Sequence, residues 1–337
     1  LLAAIASAAR PTINADCASA QDMANTAWSF AYFVYTDEPL RQAIASAACR
    51  TISDFDAQGL ATMAWAFEEL EFEDEPLLHA ISSEVLRKIG HLEATPMATL
   101  LDRRLWPECH EELKAQLLPI ADRFHQELPA RLGFWREGGY QRLVHEVGIG
   151  NFGVVGGLHL YAKLGVALPD SAFLLRAQEH IPRIGRMMAD SYSSDGAEFL
   201  RQRVLTYAEY EFTAPGVRTP VRGASIFENG RTYGSRWLVP TTPPFCPYAD
   251  RGTCSEFRML SSLCDAVARA DPLGAGDEEA RGRFTGTLRA LVSGPCCISC
   301  VGAFAQFRLL FPGIEVQVSA GRVPRPLERS PRHLLAA

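Results

Sequence analysis

Two groups of cysteines near the end of the sequence have the residue types and spacing of a metal or nucleophile site. Cys254 stands two residues before Glu256, and Cys297 stands three residues before Cys300. Thiolates are common zinc ligands, and a carboxylate close to a ligand can move a proton at the same site. All eight histidines lie outside residues 181–332, so this chemistry would proceed without a neighbouring imidazole.

Each cysteine group is predicted to open a helix. Apolar residues at helical spacing follow both groups: Leu260, Leu263 and Val267 after the first, and Val301 and Phe304 after the second. In a first turn, Cys297 and Cys300 share one face. Free backbone N–H groups and the positive end of the helix dipole lower the pKa of thiols placed there, which prepares them to bind a metal.

The second cysteine helix is predicted to lie between two strands. Residues 287–293 read as a strand before it, and the alternating residues Ile314, Val316 and Val318 read as a strand after it. A right-handed βαβ unit would place the cysteines at the carboxyl edge of the sheet, where open α/β sheets hold their ligands.

The cysteine pattern alone leaves several chemistries open. A C-x-x-C pair also occurs in redox sites and in half zinc ribbons. Cys246 could join the three other cysteines in a closed four-thiolate site. The chain has nine cysteines, an odd number, and six of them lie in its last hundred residues, which favours reduced thiols over a disulfide framework.

A hairpin is predicted before the first cysteine group. Residues 224–227 and 233–239 read as two strands joined through Asn229 and Gly230, a turn signal. Arg236, Trp237 and Phe245 are candidates to stack on or clamp a base, although packing and surface roles are open for each.

The first third of the chain is a repeat. Residues 20–30 recur as 57–67, an offset of 37, and the Asp-Glu-Pro-Leu sequence at 37–40 recurs at 74–77. Acidic residues and proline favour a helix N-terminus, so each unit is predicted to contain two helices. Stacked helix pairs predict an α-solenoid.

Composition and charge limit the classes of function. The chain has 337 residues, 47% of them hydrophobic, and no apolar run long enough to span a membrane, so we expect a soluble globular protein. Residues 1–108 carry 16 acidic and 7 basic side chains, whereas residues 200–337 carry 12 acidic and 17 basic ones, all of them arginine. The basic part suits a polyanion, although arginine could simply be the usual cation of this chain.

The middle of the sequence carries less information. Residues 106–210 are predicted to be a helical connector. Within it, the glycine-rich residues 148–155 resemble a kinase phosphate loop, but the other kinase motifs do not follow, and a turn-rich connector is the favoured interpretation.

The C-terminal motifs resemble those of the zinc-dependent cytidine deaminase superfamily, with its H/C-x-E and P-C-x-x-C signatures. Over about 211–322 the chain looks most like the bacterial polymorphic-toxin branch, in which one residue can separate the proline from the C-x-x-C. That branch often continues with Gln-Phe and Phe-Pro, here at 306–307 and 311–312. The resemblance implies an α/β/α three-layer domain with a mixed sheet.

The same resemblance implies the roles of the site residues. Cys254, Cys297 and Cys300 would be zinc ligands, with the fourth position left to water, and Glu256 would be the catalytic proton shuttle. Cys254 stands where the family usually has histidine. The register uses Cys297 rather than Cys296 because only Cys297 has the C-x-x-C spacing.

The repeats resemble the heptatricopeptide and octotricopeptide repeats of organellar RNA-binding proteins, over about residues 1–105. That family is expected to hold single-stranded RNA along a concave face. The net charge of −9 over residues 1–108 departs from this expectation and leaves a protein partner at the acidic face as an alternative.

The sequence therefore predicts an α + α/β protein in four parts: repeats at 1–105, a connector at 106–210, a deaminase-like zinc domain at 211–322 and a polar tail at 323–337. The main hypothesis is a Zn²⁺-dependent deaminase that converts cytosine to uracil in a polynucleotide, with single-stranded RNA favoured and DNA open, as in RNA editing. One alternative is a non-catalytic RNA- or protein-binding protein with a zinc-stabilised, degenerate domain. Another is a toxin-like or free-nucleoside deaminase. We expect a reducing intracellular compartment, with an organelle open.

Overall fold

The structure, a computed structural model, describes residues 1–15, 17–33, 35–137, 152–192, 203–234, 236–241, 251–271, 282–295 and 297–321. The chain divides into two compact units, Leu1–Ala121 and Asp122–Ala337. No helix in the described ranges combines the length and apolar character needed to cross a membrane. The fold is mostly helical with a C-terminal mixed sheet, which confirms an α plus α/β protein.

The first unit contains the repeated helices. Its helices are α1 (Leu2–Asn14), α2 (Ala20–Tyr32), α3 (Glu38–Arg50), α4 (Ala57–Glu69), α5 (Glu75–Lys88) and α6 (Ala94–Leu101), and α7 (Pro107–Glu127) runs across the division between the units. The first positions of α2 and α4 differ by 37 residues, as do those of α3 and α5. The predicted helix pairs are therefore confirmed.

Equivalent aspartates begin the second helix of each pair. The Oδ1 atom of Asp37 accepts a hydrogen bond from Leu40 N at 2.9 Å, and Asp74 does the same for Leu77 N at 2.9 Å. Each cap satisfies a backbone donor that the helix itself leaves free. The proline that follows needs no such acceptor because it has no N–H.

Alternate helices pack together in this unit: α1 on α3, α2 on α4, α3 on α5, and α4 on α6. Hydrogen bonds also join successive helix pairs. Lys88 Nζ donates to Phe55 O at 2.6 Å, and Arg41 Nη1 donates to Leu70 O at 3.1 Å. The amphipathic helices thus bury apolar surface against neighbouring units as well as within each pair, where α2 contacts α3 and α4 contacts α5.

Exposure differs between equivalent positions of α2 and α4. Leu70, after α4, is 5% exposed, whereas the equivalent Phe33 is 60% exposed. The ring of Tyr32 contacts those of Trp28 and Phe33, with ring centroids 5.3 Å apart in both cases. α2 packs on α4, and Leu70 at the end of α4 is buried. At the equivalent end of α2, the aromatic rings are exposed to solvent.

The second unit is built on a four-stranded sheet in the order β2-β1-β3-β4. Its strands are β1 (Leu205–Thr213), β2 (Val221–Glu228), β3 (Thr285–Val292) and β4 (Ile314–Ala320). Its helices are α8 (Leu132–Arg136), α9 (Gly153–Lys163), α10 (Ser171–Tyr192), α11 (Ser255–Ala270) and α12 (Ile298–Leu310). β1 is antiparallel to β2 and β3, and β3 is parallel to β4 with α12 between them, so the predicted βαβ unit is confirmed.

The predicted hairpin was wrong in its pairing. β2 contains the expected residues 224–227, but its partner is β1, which begins inside the predicted connector, and the described residues of 233–239 form no strand. Asn229 and Gly230 do not turn the chain back on itself. Asn229 Oδ1 accepts from Val204 N at 2.9 Å and Gly230 N donates to Thr253 O at 3.1 Å, so these residues lead the chain out of β2.

Helices cover both faces of the sheet. α10 packs on β1 and β3, in a buried cluster of Phe173, Ala177, Ile181, Leu205, Tyr207 and Leu291. On the other side, Ser255 of α11 contacts Thr206 of β1, with their hydroxyl oxygens 2.8 Å apart. Because successive strand residues point to opposite faces, α10 and α11 lie on opposite sides of the sheet.

The helix caps of the repeats give a stability prediction. Asp74→Ala removes the acceptor of Leu77 N and should lower the free energy of unfolding of the first unit by about 1 kcal/mol. Glu75→Ala is the matched control, because Glu75 is an exposed carboxylate one residue further on. Urea denaturation followed by circular dichroism measures both. Equal losses in the two variants would contradict the capping role.

Candidate metal centre

Three cysteines of the second unit lie close together in space. The Sγ atoms of Cys254, Cys297 and Cys300 all lie within 4.8 Å of one another, and those of Cys297 and Cys300 are 3.4 Å apart. Cys300 is 1% exposed, whereas Cys254 and Cys297 are partly exposed. The structure thus brings together all three cysteines that the sequence predicts as ligands.

The cysteines meet because two helices start at the same place. Cys254 is the N-cap of α11, and Cys297 is the N-cap of α12. Each cap carbonyl closes its first turn: Arg258 N donates to Cys254 O at 3.0 Å, and Val301 N donates to Cys297 O at 3.1 Å. Both helices therefore direct the positive ends of their dipoles toward the thiols, which favours the thiolate form.

The beginning of β1 fixes both helix starts. Leu205 N donates to Ser293 Oγ at 2.9 Å, and Ser293 N donates back to Leu205 O at 2.8 Å, just before the loop that leads to Cys297. One residue earlier, Val204 N donates to the side chain of Asn229. Gly230, the next residue, donates to the carbonyl of Thr253, which directly precedes Cys254. One stretch of strand thus positions both cysteine groups.

The three thiols share their protons unequally. Hydrogen bonds from the Cys254 and Cys300 thiols hold the pKa of Cys297 well below its usual value, and the positive charge of Arg251 also contributes. The pKa of Cys254 is raised, first through its hydrogen bond with Cys297, and hydrogen bonds with Cys254 and Cys297 raise that of Cys300. One thiolate is stabilised by two thiols, and ionising those as well requires a cation.

The donor set fits zinc. Tetrahedral zinc with bonds of about 2.3 Å to sulfur needs sulfur atoms roughly 3.8 Å apart, within the spread of this cluster. Three thiolates leave one coordination position for water or a fourth ligand. Cys246, the alternative fourth thiolate, and Cys296, the alternative register, lie outside the described residues.

Glu256 is buried beside the cluster. The residue is 3% exposed, and its Oε2 atom accepts a hydrogen bond from Ser255 Oγ at 2.9 Å. Ser255 in turn contacts Thr206 of β1, so a buried hydroxyl chain orients the carboxylate. After the thiol contacts, the charge of Glu256 also raises the pKa of Cys254. No sequence pattern pointed to Ser255 and Thr206 as neighbours of Glu256, because Thr206 belongs to β1, which begins inside the predicted connector.

Two of the three candidate base contacts, Arg236 and Trp237, lie against each other. Trp237 is buried, and its Nε1–H donates to Asp265 Oδ1 at 3.1 Å. Asp265 lies on α11, ten residues after the first residue of that helix, Ser255. Arg236 is exposed, with its guanidinium carbon 4.4 Å from the centroid of the Trp237 ring. Phe245 lies outside the described residues.

The loop that carries Trp237 is tied to both cysteine helices. Tyr233 donates to Asp265 Oδ2 at 2.8 Å on α11. Gln306 of α12 makes two hydrogen bonds with Val239, accepting from its N–H at 2.8 Å and donating to its carbonyl at 3.0 Å. Gln306, chosen in the sequence for its resemblance to a family motif, thus positions the chain beside the cluster.

The cluster predicts metal binding that depends on each thiol. Cys297→Ser should remove bound zinc from the purified full-length protein, because two thiols and a hydroxyl bind zinc less tightly than three thiolates. Cys17→Ser is the control, since Cys17 is exposed in the first unit. Elemental analysis should find about one zinc per chain in the wild type and the control. Equal zinc in all three proteins would place the metal elsewhere.

A known protein family matches the beginning of the chain. The family model of the RNA-editing substrate-binding complex 6 protein matches residues 5–105, which is less than a third of the chain and lies within the first unit. No curated protein and no solved structure matches the chain. The match ends where the predicted repeats end, so the repeat segment is the part of this chain that is similar to an RNA-editing protein.

Proposed function

We propose that this chain is a binding component of an RNA-editing machinery, in which the helical repeats contact a protein, the C-terminal unit contacts RNA, and zinc stabilises that unit. The observation that carries the proposal is the match of residues 5–105 to a protein named for an RNA-editing substrate-binding complex. This corresponds to the non-catalytic alternative of the sequence analysis.

The repeats have the properties of a protein-binding solenoid. Alternate helices pack in series, as in stacked repeats, and the aromatic rings of Trp28, Tyr32 and Phe33 are exposed on one helix. The net charge of −9 over residues 1–108 opposes a phosphate backbone and suits a basic protein surface.

The C-terminal unit has the charge for RNA. All 17 basic residues in 200–337 are arginines, whose guanidinium groups match phosphate with two donors. Arg231 and Arg236 are exposed in the segment that is hydrogen-bonded to the turn before Cys254 and to α11. Zinc binding by the three cysteines would contribute to the folding free energy, since it joins two helix starts that no covalent bond connects.

RNA binding should depend on salt and on the second unit. We expect fluorescence anisotropy of a labelled single-stranded RNA to show binding that weakens steeply as salt rises from 50 to 200 mM, the range over which phosphate contacts are lost. Arg231→Glu should weaken binding and lower the salt slope by about one phosphate contact. Arg50→Glu, the same change on an exposed side chain of the first unit, should leave binding unchanged. Absence of RNA binding at low salt would overturn the proposal.

Deamination of a nucleobase is the second candidate, favoured by the buried Glu256 two residues from Cys254. Bound zinc would supply a water of lowered pKa in its fourth position. Glu256 would accept the proton of that water as the water oxygen bonds to C4 of cytosine, and would pass the proton to a ring nitrogen. It would then assist proton transfer to the amino group, so that the bond from C4 to the amino nitrogen breaks and ammonia leaves. The Ser255 hydroxyl would hold the carboxylate in place during both transfers. An all-thiolate ligand set predicts slow turnover, because its negative charge weakens the polarising effect of the metal.

Glu256→Gln separates the two candidates. The variant keeps the shape of the side chain but cannot carry a proton, so deamination of cytidine-containing RNA should fall about 10²- to 10⁴-fold with zinc retained. Glu211→Gln is the control, because Glu211 is exposed toward the far end of β1. Wild-type protein with full zinc and no deamination of RNA or free cytidine would exclude the enzyme and leave the binding role intact.

A further inference from the structure

Two arginine side chains converge on the turn that follows β2. A methyl group placed on Gly230 would lie 3.1 Å from Arg258 Nη1 and 3.9 Å from Arg203 Nη1. Arg258 reaches this point from α11 and donates to the carbonyl of Glu228, while Arg203 Nη1 donates to the carbonyl of Asn229 at 2.9 Å. The two guanidinium groups therefore flank a single backbone position.

Carboxylates do not neutralise Arg258 in the described part of the chain. Its one hydrogen bond goes to a backbone carbonyl, and its Nε atom is buried without an acceptor. The carboxylate of Glu228 pairs with neither arginine, and its Oε2 atom is also buried without a partner. The carbonyl dipole that accepts from Arg258 carries no net charge, so no carboxylate among the described residues offsets the positive charge of this guanidinium group.

An anion would complete this arrangement. A guanidinium group is always charged and offers paired donors that match phosphate oxygens. Arg203, Gly230 and Arg258 are all half-buried rather than enclosed, and Arg231 next to them is exposed, so a ligand can reach the group from solvent.

The arginines lie next to the cysteine cluster. Arg258 follows Cys254 by four residues on α11, so the two share a helix face and are separated by one turn, about 5.4 Å along the axis. Gly230 donates to Thr253, the residue before Cys254. A phosphate held by the arginines would therefore bring the rest of its nucleotide close to the cluster.

We propose that Arg203 and Arg258, flanking Gly230, form a binding site for the phosphate of a nucleotide, one helical turn from the cysteine cluster. The inference rests on the proposed function in that it takes a ribonucleotide as ligand. The phosphate can come from a free nucleotide or from an RNA backbone, and both are tested separately.

Calorimetric titrations of the full-length protein with cytidine, cytidine 5′-monophosphate and a short oligocytidylate test the site. The wild type should bind at least one phosphate-bearing ligand about tenfold more tightly than cytidine, as expected for a charge-assisted contact. Arg258→Met should abolish that preference. Arg218→Met is the matched control, because Arg218 is exposed in the turn at the opposite end of the β1–β2 hairpin. A preference for the monophosphate assigns a free nucleotide, and a preference restricted to the oligonucleotide assigns the RNA backbone.

A second pair of variants keeps every charge. Gly230→Ala places a methyl group against Arg258 Nη1, whereas Gly234→Ala meets no atom within 4 Å. Neither glycine has a positive φ, so alanine fits both backbones. Gly230→Ala should weaken phosphate-dependent binding and Gly234→Ala should not. This pair therefore tests the phosphate site even if Arg258→Met fails to fold.

The outcomes separate this site from the proposed function. RNA binding that is equally strong in the wild type, Arg258→Met and Gly230→Ala would overturn the phosphate site and leave the RNA-binding role standing. Phosphate-dependent binding of the monophosphate alone, lost in both variants, would support the site and count against RNA as the ligand. Binding of no ligand by the wild type would overturn both.

Discussion

The start of β1 is the constraint on which the C-terminal unit depends. Three successive residues make the key hydrogen bonds. Val204 bonds to Asn229 just after β2, and Leu205 bonds to Ser293 just after β3. Thr206 bonds to Ser255, the first residue of α11. These contacts join residues that are between 25 and 88 positions apart in the chain. The two cysteine helices start side by side because one strand sets the position of both.

This arrangement creates an electrostatic demand. Three thiols meet at two helix N-termini, and the charge of the buried Glu256 carboxylate also acts on Cys254. The dipoles and Arg251 favour one thiolate, as the lowered pKa of Cys297 indicates, but the neighbouring thiols resist further ionisation. A divalent cation would relieve that conflict and at the same time hold α11 to α12. Binding of the metal and folding of this part of the chain are therefore expected to be linked.

The two units differ in the chemistry that they offer to partners. The repeats are acidic and expose aromatic rings, whereas the sheet unit carries arginines around the turn that leads to Cys254. A polynucleotide and a basic protein would thus be drawn to different units. This division agrees with the proposed role, in which the C-terminal unit contacts RNA and the repeats contact a protein.

The sequence by itself determined the local features. The offset of 37 residues, the aspartate and proline at helix starts, and the cysteines ahead of apolar helical runs are each encoded within about one element, so they predicted α3, α5, α11 and α12 as well as the β3–α12–β4 unit. Only the tertiary structure decided the partner of β2, the hydroxyl chain from Thr206 to Glu256, the anchoring of Trp237 on Asp265, and the meeting of Arg203 with Arg258. The reason is physical. Helix starts depend on backbone donors and dipoles a few residues away, whereas these contacts join distant segments whose pairing leaves no periodic pattern in the chain.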